Sequence, residues 1–151
     1  MSGEQGYFLE DLTVGMSAEL TRVVTEEDVN TFAALTGDFN PVHVDEAFAA
    51  QTMFKTRIAH GAFVASLLSA VMGTQLPGPG AIFRSLNLNY RGPVRIGDEV
   101  VAHAEVAEIV PEKQLVTLHC WCKVSGKKVV RADAGAWVAR RPAPGPGADA
   151  G

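Results

Sequence analysis

The sequence predicts an α+β fold, a single domain in which a curved antiparallel β-sheet wraps around a long buried central helix. Three observations predict it. From Leu86 onward, apolar and polar residues alternate with period two, the pattern of half-buried strands. Residues 61–72 (GAFVASLLSAVM) hold no charge, and a helix that is apolar all round is enclosed by its neighbours. A helical insert follows one early strand, which separates this pattern from a regular βαβ alternation. The 151 residues suit one domain, and such a chain buries roughly two-thirds of the surface exposed on unfolding.

The elements follow in order. Residues 17–24 (SAELTRVV) read as a strand. Thr25 is a helix N-cap, with Glu26, Glu27 and Asp28 in the first turn to complement the helix dipole. Val29, Phe32, Ala33 and Leu35 form that helix's apolar face, and Gly37 suits its C-cap. Residues 38–44 (DFNPVHV) are expected to be loop, because Asn40-Pro41 opposes helix. Asp45 then caps a short helix through Ala50. In the central helix Ala62, Ser66, Ser69 and Gly73 recur at steps of four, three and four, which puts them on one face. Side chains that small admit a close neighbour, either backbone or a slender ligand. After Pro77-Gly78-Pro79-Gly80 come strands around Leu86–Tyr90, Val100–Val106 and Val116–Val124, and a last one beyond the Ser125-Gly126 turn. Residues 142–151 (PAPGPGADAG) have nothing to pack and are expected to form a disordered tail behind a domain spanning 1–141.

Composition narrows the function classes. Hydrophobic residues make up 47% and charged residues 20%, as in a soluble globule. A net charge of −4 speaks against a nucleic-acid-binding surface. No apolar run reaches the roughly 18 residues of a membrane span, and the N-terminus lacks the pattern of a secretory signal. Cys120 and Cys122 sit two apart in a strand and read as ordinary buried thiols, consistent with a reduced cytoplasmic setting. No Walker motif, G-x-G-x-x-G fingerprint or G-x-S-x-G elbow is present. His60 has no ligand partner at helical spacing, and no metal or cofactor is expected. His103 and His119, isolated on strands, read as structural.

The chemistry-bearing residues crowd into one segment. Asp38, Asn40 and His43 share seven residues, and His60-Gly61 opens the apolar helix. An acid and an imidazole five residues apart can converge on one water, and histidine exchanges protons near neutral pH. The first N–H groups of a helix have no internal partner, and Gly61 leaves room for a ligand oxygen to reach one. That is the requirement of an oxyanion hole. The bland alternatives are a turn aspartate, a capping or core histidine, and a glycine that merely permits close packing.

The run Phe32-Ala33-Ala34-Leu35-Thr36-Gly37-Asp38-Phe39-Asn40-Pro41-Val42-His43, with the small Ala49 six residues on, resembles the signature of the MaoC-like (R)-specific enoyl-CoA hydratases. His60-Gly61, the Ala65–Ser69 helix and the Gly97-Asp98-Glu99-Val100 turn extend the resemblance from about Leu9 to Arg140. It implies a hot-dog fold and a homodimer with active-site tunnels near the subunit interface. It also implies an acyl-CoA substrate and hydration of trans-2-enoyl-CoA to the (R)-3-hydroxyacyl-CoA without a cofactor. By position, Asp38 and His43 would be catalytic, the Gly61 N–H would hold the thioester oxygen, and Asn40 and Ser69 would support the site. Ser66 and Met72 on the helix are candidates for contact with the acyl chain. Lys55, Arg57, Arg84, Arg91 and Arg95 are candidate cations for the coenzyme A phosphates. Two rivals remain: a hot-dog thioesterase, which would direct the activated water to the carbonyl, and a non-catalytic acyl-thioester-binding domain.

Overall fold

The computed structural model describes residues 5–144. Its elements are β1 (Ser17–Val23), α1 (Glu26–Thr36), α2 (Pro41–Val44), α3 (Glu46–Ala49), α4 (Gly61–Thr74), β2 (Ile82–Tyr90), β3 (Glu99–Val110), β4 (Leu115–Val124) and β5 (Lys127–Trp137). The strands form one five-stranded sheet in the order β1-β3-β4-β5-β2, and every neighbouring pair is antiparallel. Helix α4 packs against the core-facing side of this sheet, which is the hot-dog arrangement. Residues 142–144 have no regular structure, and the rest of the expected tail lies outside the described residues.

Alternation sets the sheet register. Val100, Ala102, Ala104 and Val106 on β3 and Val116, Leu118, Cys120 and Cys122 on β4 are buried, while their intervening neighbours are turned away. The two thiols therefore face the core, and burial pushes each up to about 12. His103 stacks on Trp121 with ring centroids 4.1 Å apart, and His119 pairs with Asp133 at 2.6 Å. Helix α4 contributes Val64, Leu67, Leu68, Val71 and Met72 to the same core. Each such side chain, fully buried, contributes about 1.5–3 kcal/mol.

Helix α1 begins and ends where its sequence says it should. The Thr25 hydroxyl accepts from the Asp28 N–H at 3.0 Å, and the Asp28 carboxylate accepts from the Thr25 N–H at 3.1 Å. Gly37 closes the helix with φ at +83°, a conformation that costs glycine little.

Two expectations are corrected. Residues 38–44 are not all loop: Pro41–Val44 makes one helical turn. Pro41 occupies its first position, where the missing N–H costs nothing, and the Asn40 side chain accepts from the Val42 N–H at 3.3 Å. Nor is α4 enclosed on every side within one chain. Ala62, Ser66, Ser69 and Gly73 are all exposed, because the sheet covers only the opposite face of the helix.

Candidate active site

The segment between α3 and α4 brings the two chemical clusters together. The Ile58 N–H donates to the Val42 carbonyl at 3.2 Å, and the Ala59 N–H donates to the Val94 carbonyl at 2.7 Å. These bonds clamp residues 58–60 between α2 and the chain entering β3. Arg57 adds a third tie. Its Nε donates to the His43 carbonyl at 2.6 Å, and its two terminal nitrogens donate to Glu26 at 2.9 Å and Asn30 at 2.6 Å. Arg57 is thus an internal strut fixing the turn that carries His43, not a cation free for phosphate.

His43 is 8% exposed and His60 only 1%. Their rings stack with centroids 3.9 Å apart, and the Phe32 ring lies tilted against His60 with centroids 4.8 Å apart. His43 Nδ1–H donates to the Ile58 carbonyl at 2.8 Å, which leaves Nε2 with a free lone pair. His60 Nε2–H donates to the Asp38 carbonyl at 2.9 Å and ties the acid's backbone to the start of α4. Burial pushes the His43 imidazole below its ordinary value, and the neighbouring His60 adds to this. The Ile58 hydrogen bond and the Asp38 carboxylate oppose the shift. The net result is an imidazole that is neutral at neutral pH, with Nε2 available to accept a proton.

One donor atom from each of Asp38, His43 and His60 lies within 4.8 Å of the others. That is also a metal-like donor set. His43 Nδ1 and His60 Nε2 are already engaged with backbone carbonyls, which leaves one nitrogen on each ring. The arrangement suits a base that shares a water with a carboxylate.

His43 and Gly61 line one cavity of about 530 Å³, together with Met53, Phe54, Ile58, Tyr90 and Arg91. Gly61 is the first residue of α4, so its N–H has no intrahelical partner. Its lack of a side chain has a visible cause: a Cβ there would come 2.7 Å from the Tyr90 ring. Asn40 works as the α2 cap, its side-chain oxygen accepting from the Val42 N–H, and it is not among the residues lining the cavity.

The other predicted residues sit elsewhere in the single chain. Ser66 donates back to the Phe63 carbonyl at 2.6 Å. Ser69 and Met72 line a separate pocket of about 140 Å³ beside Gly73 and Phe83. Arg84 is exposed on β2. Sequence reasoning missed three participants: His60 as a partner of His43, Tyr90 as the cover over Gly61, and Arg57 as a strut. Only the His60-Gly61 pairing carried a signal, through its position at the helix mouth.

Comparison with known proteins fits this geometry. The MaoC like domain model matches residues 12–126. The chain is 50% identical over 127 residues to a 3-hydroxybutyryl-CoA dehydratase of Methylorubrum extorquens, covering 84% of this chain and 81% of that one. It is 47% identical over 135 residues to an (R)-specific enoyl-CoA hydratase of Rhodospirillum rubrum, covering 89% and 94%. Among solved structures, an R-hydratase from Pseudomonas aeruginosa in its unliganded form superposes with a TM-score of 0.85 at 40% identity, covering 90% and 88%.

Proposed function

This chain belongs to the MaoC-like dehydratase family, and we propose that it hydrates trans-2-enoyl-CoA reversibly to the (R)-3-hydroxyacyl-CoA with Asp38 and His43 as its acid–base pair. The observation that supports this most is that donor atoms of Asp38 and His43 lie within 4.8 Å of each other, while His43 and Gly61 line one cavity.

The enoyl thioester lies with its carbonyl oxygen against the Gly61 N–H, where the α4 dipole adds partial positive charge. A water sits between the Asp38 carboxylate and His43 Nε2. As its oxygen bonds to C3, the pair takes up one water proton, and the electron pair of the double bond moves onto the thioester as an enolate. The Gly61 N–H stabilises that oxyanion, a contribution of about 2.7–4 kcal/mol for donors of this kind. A proton delivered to C2 from the same face completes the addition. Dehydration is the same path reversed.

A second copy of the chain covers the exposed α4 stripe. β2 is an edge strand, and Ile82 and Phe83 on it remain exposed in the single chain. An open edge beside a small-residue helix face and apolar side chains is a surface built for pairing. In that dimer the pocket of Ser69, Met72 and Phe83 becomes enclosed; Ser69 supports the site and Met72 limits acyl length. Two unpaired buried thiols support a reduced cytoplasmic setting.

Incubation with crotonyl-CoA tests the reading. Loss of enoyl absorbance without free thiol is the expected result. Thiol release assigns the water to the carbonyl and makes the protein a thioesterase. Stabilisation by the thioester without turnover makes it a binding domain.

A further inference from the structure

We propose that Arg91 and Arg131 form a phosphate subsite that holds the 3′-phosphorylated ADP end of a coenzyme A thioester on the outward face of the sheet. The inference rests on the hydratase reading and adds to it where the coenzyme lies. The first observation is a shared wall. Arg91 lines the catalytic cavity, and it also lines a polar groove of about 320 Å³ on the other side of the β2 end. A pantetheine arm leaving the cavity past Arg91 therefore enters this groove.

The second observation is charge placement. The Arg91 N–H donates to the Val129 carbonyl at 2.7 Å, which continues the β2–β5 ladder by one step. Asn89 stands directly opposite Arg131 in that ladder. Arg91 and Arg131 are thus diagonal neighbours on one face, a separation of about 7–8 Å that a pyrophosphate or a phosphate pair can bridge. Neither arginine forms an ion pair among the described residues. The groove's acids, Asp133 and Glu105, lie farther along the strands, and Asp133 is already paired with His119. The end nearest the cavity is therefore the cationic one. Guanidinium groups suit this task because their planar fork matches phosphate oxygens bidentately. Of the other candidate cations, Arg57 is buried in its strut, and the Arg95 side chain donates to the Phe54 carbonyl at 3.3 Å.

The test compares two substrates that differ only in the nucleotide: crotonyl-CoA and crotonyl-pantetheine. In the double variant Arg91→Gln/Arg131→Gln, the KM for crotonyl-CoA should rise roughly tenfold, the scale of one lost charge-assisted phosphate contact or more. The single variant Arg131→Gln, whose residue lies outside the catalytic cavity, should raise the KM for crotonyl-CoA in the same direction and match wild type on crotonyl-pantetheine, which also establishes that it is folded. Lys55→Gln should leave both substrates unchanged. Titration with adenosine 3′,5′-bisphosphate tests the subsite without turnover: wild type should bind it and the double variant should bind it at least roughly tenfold more weakly. An unchanged KM for crotonyl-CoA overturns the proposal. So does equal loss on both thioesters, or a KM effect that follows Lys55 instead. If wild type turns over neither thioester yet binds the bisphosphate through these two arginines, the hydratase reading fails and the subsite stands.

Discussion

Asp38→Ala and His43→Ala should each lower kcat on crotonyl-CoA by at least about 10²-fold, and by as much as 10⁴-fold, with the fold intact. The magnitude follows from the work each group does. Water is a weak nucleophile, and its attack on C3 needs a proton acceptor in place. His43 Nε2 is free to accept because Nδ1–H is committed to the Ile58 carbonyl. Asp38 holds the same water from the other side. Because the two act as a unit, the double variant should be little worse than the worse single one. Asp38 is exposed and its removal uncovers no core, so circular dichroism and thermal melting should register little change. The pH profile carries the same signature. Burial lowers the His43 pKa, so the imidazole stays neutral below its ordinary titration range. The acid limb of kcat/KM, which reports the free enzyme, should therefore fall below about pH 6.5. Near-full activity in either variant removes the acid–base pair from the mechanism.

Gly61→Pro should lower kcat by about 10²–10³-fold while α4 remains formed. Proline removes the N–H donor. The backbone accepts it: Gly61 is the first residue of α4, a position proline favours, and His60 already has the extended conformation a residue before proline needs, at φ −59° and ψ 134°. The pyrrolidine ring would strike the Tyr90 side chain, since even a Cβ comes within 2.7 Å of it. The comparison therefore belongs in a Tyr90→Ala background, with Gly61→Ala beside it. In that background alanine keeps the donor and should keep most of the activity, whereas proline should lose it. Equal activity of the two would mean that Gly61 serves packing alone.

Much of this architecture was legible in the sequence, for a physical reason. A strand half in the core must alternate, and β3 and β4 do so residue by residue. The caps of α1 are local chemistry, so Thr25 and Gly37 announced its ends. Asn40-Pro41 carries two local meanings. The residue before a proline avoids helical angles, yet asparagine followed by proline is also a cap followed by a favourable first position. What could not be read depends on distant chain segments. Arg57 looked like a free cation, and its partners Glu26 and Asn30 come from a helix about thirty residues earlier. The stacking of His43 on His60 arises from the clamp at Ile58 and Ala59, which no periodicity encodes. The small-residue face of α4 reads as enclosed in the sequence because it carries no charge, yet the sheet covers only the opposite face and leaves it exposed in the single chain.

The most direct measurement of the central claim is a crystal structure of the protein with (R)-3-hydroxybutyryl-CoA bound. The hydroxyl oxygen should lie within hydrogen-bond reach of both the Asp38 carboxylate and His43 Nε2, with the thioester oxygen about 2.7–3.1 Å from the Gly61 nitrogen. A thioester bound away from α4, or a hydroxyl that touches neither Asp38 nor His43, would contradict the account.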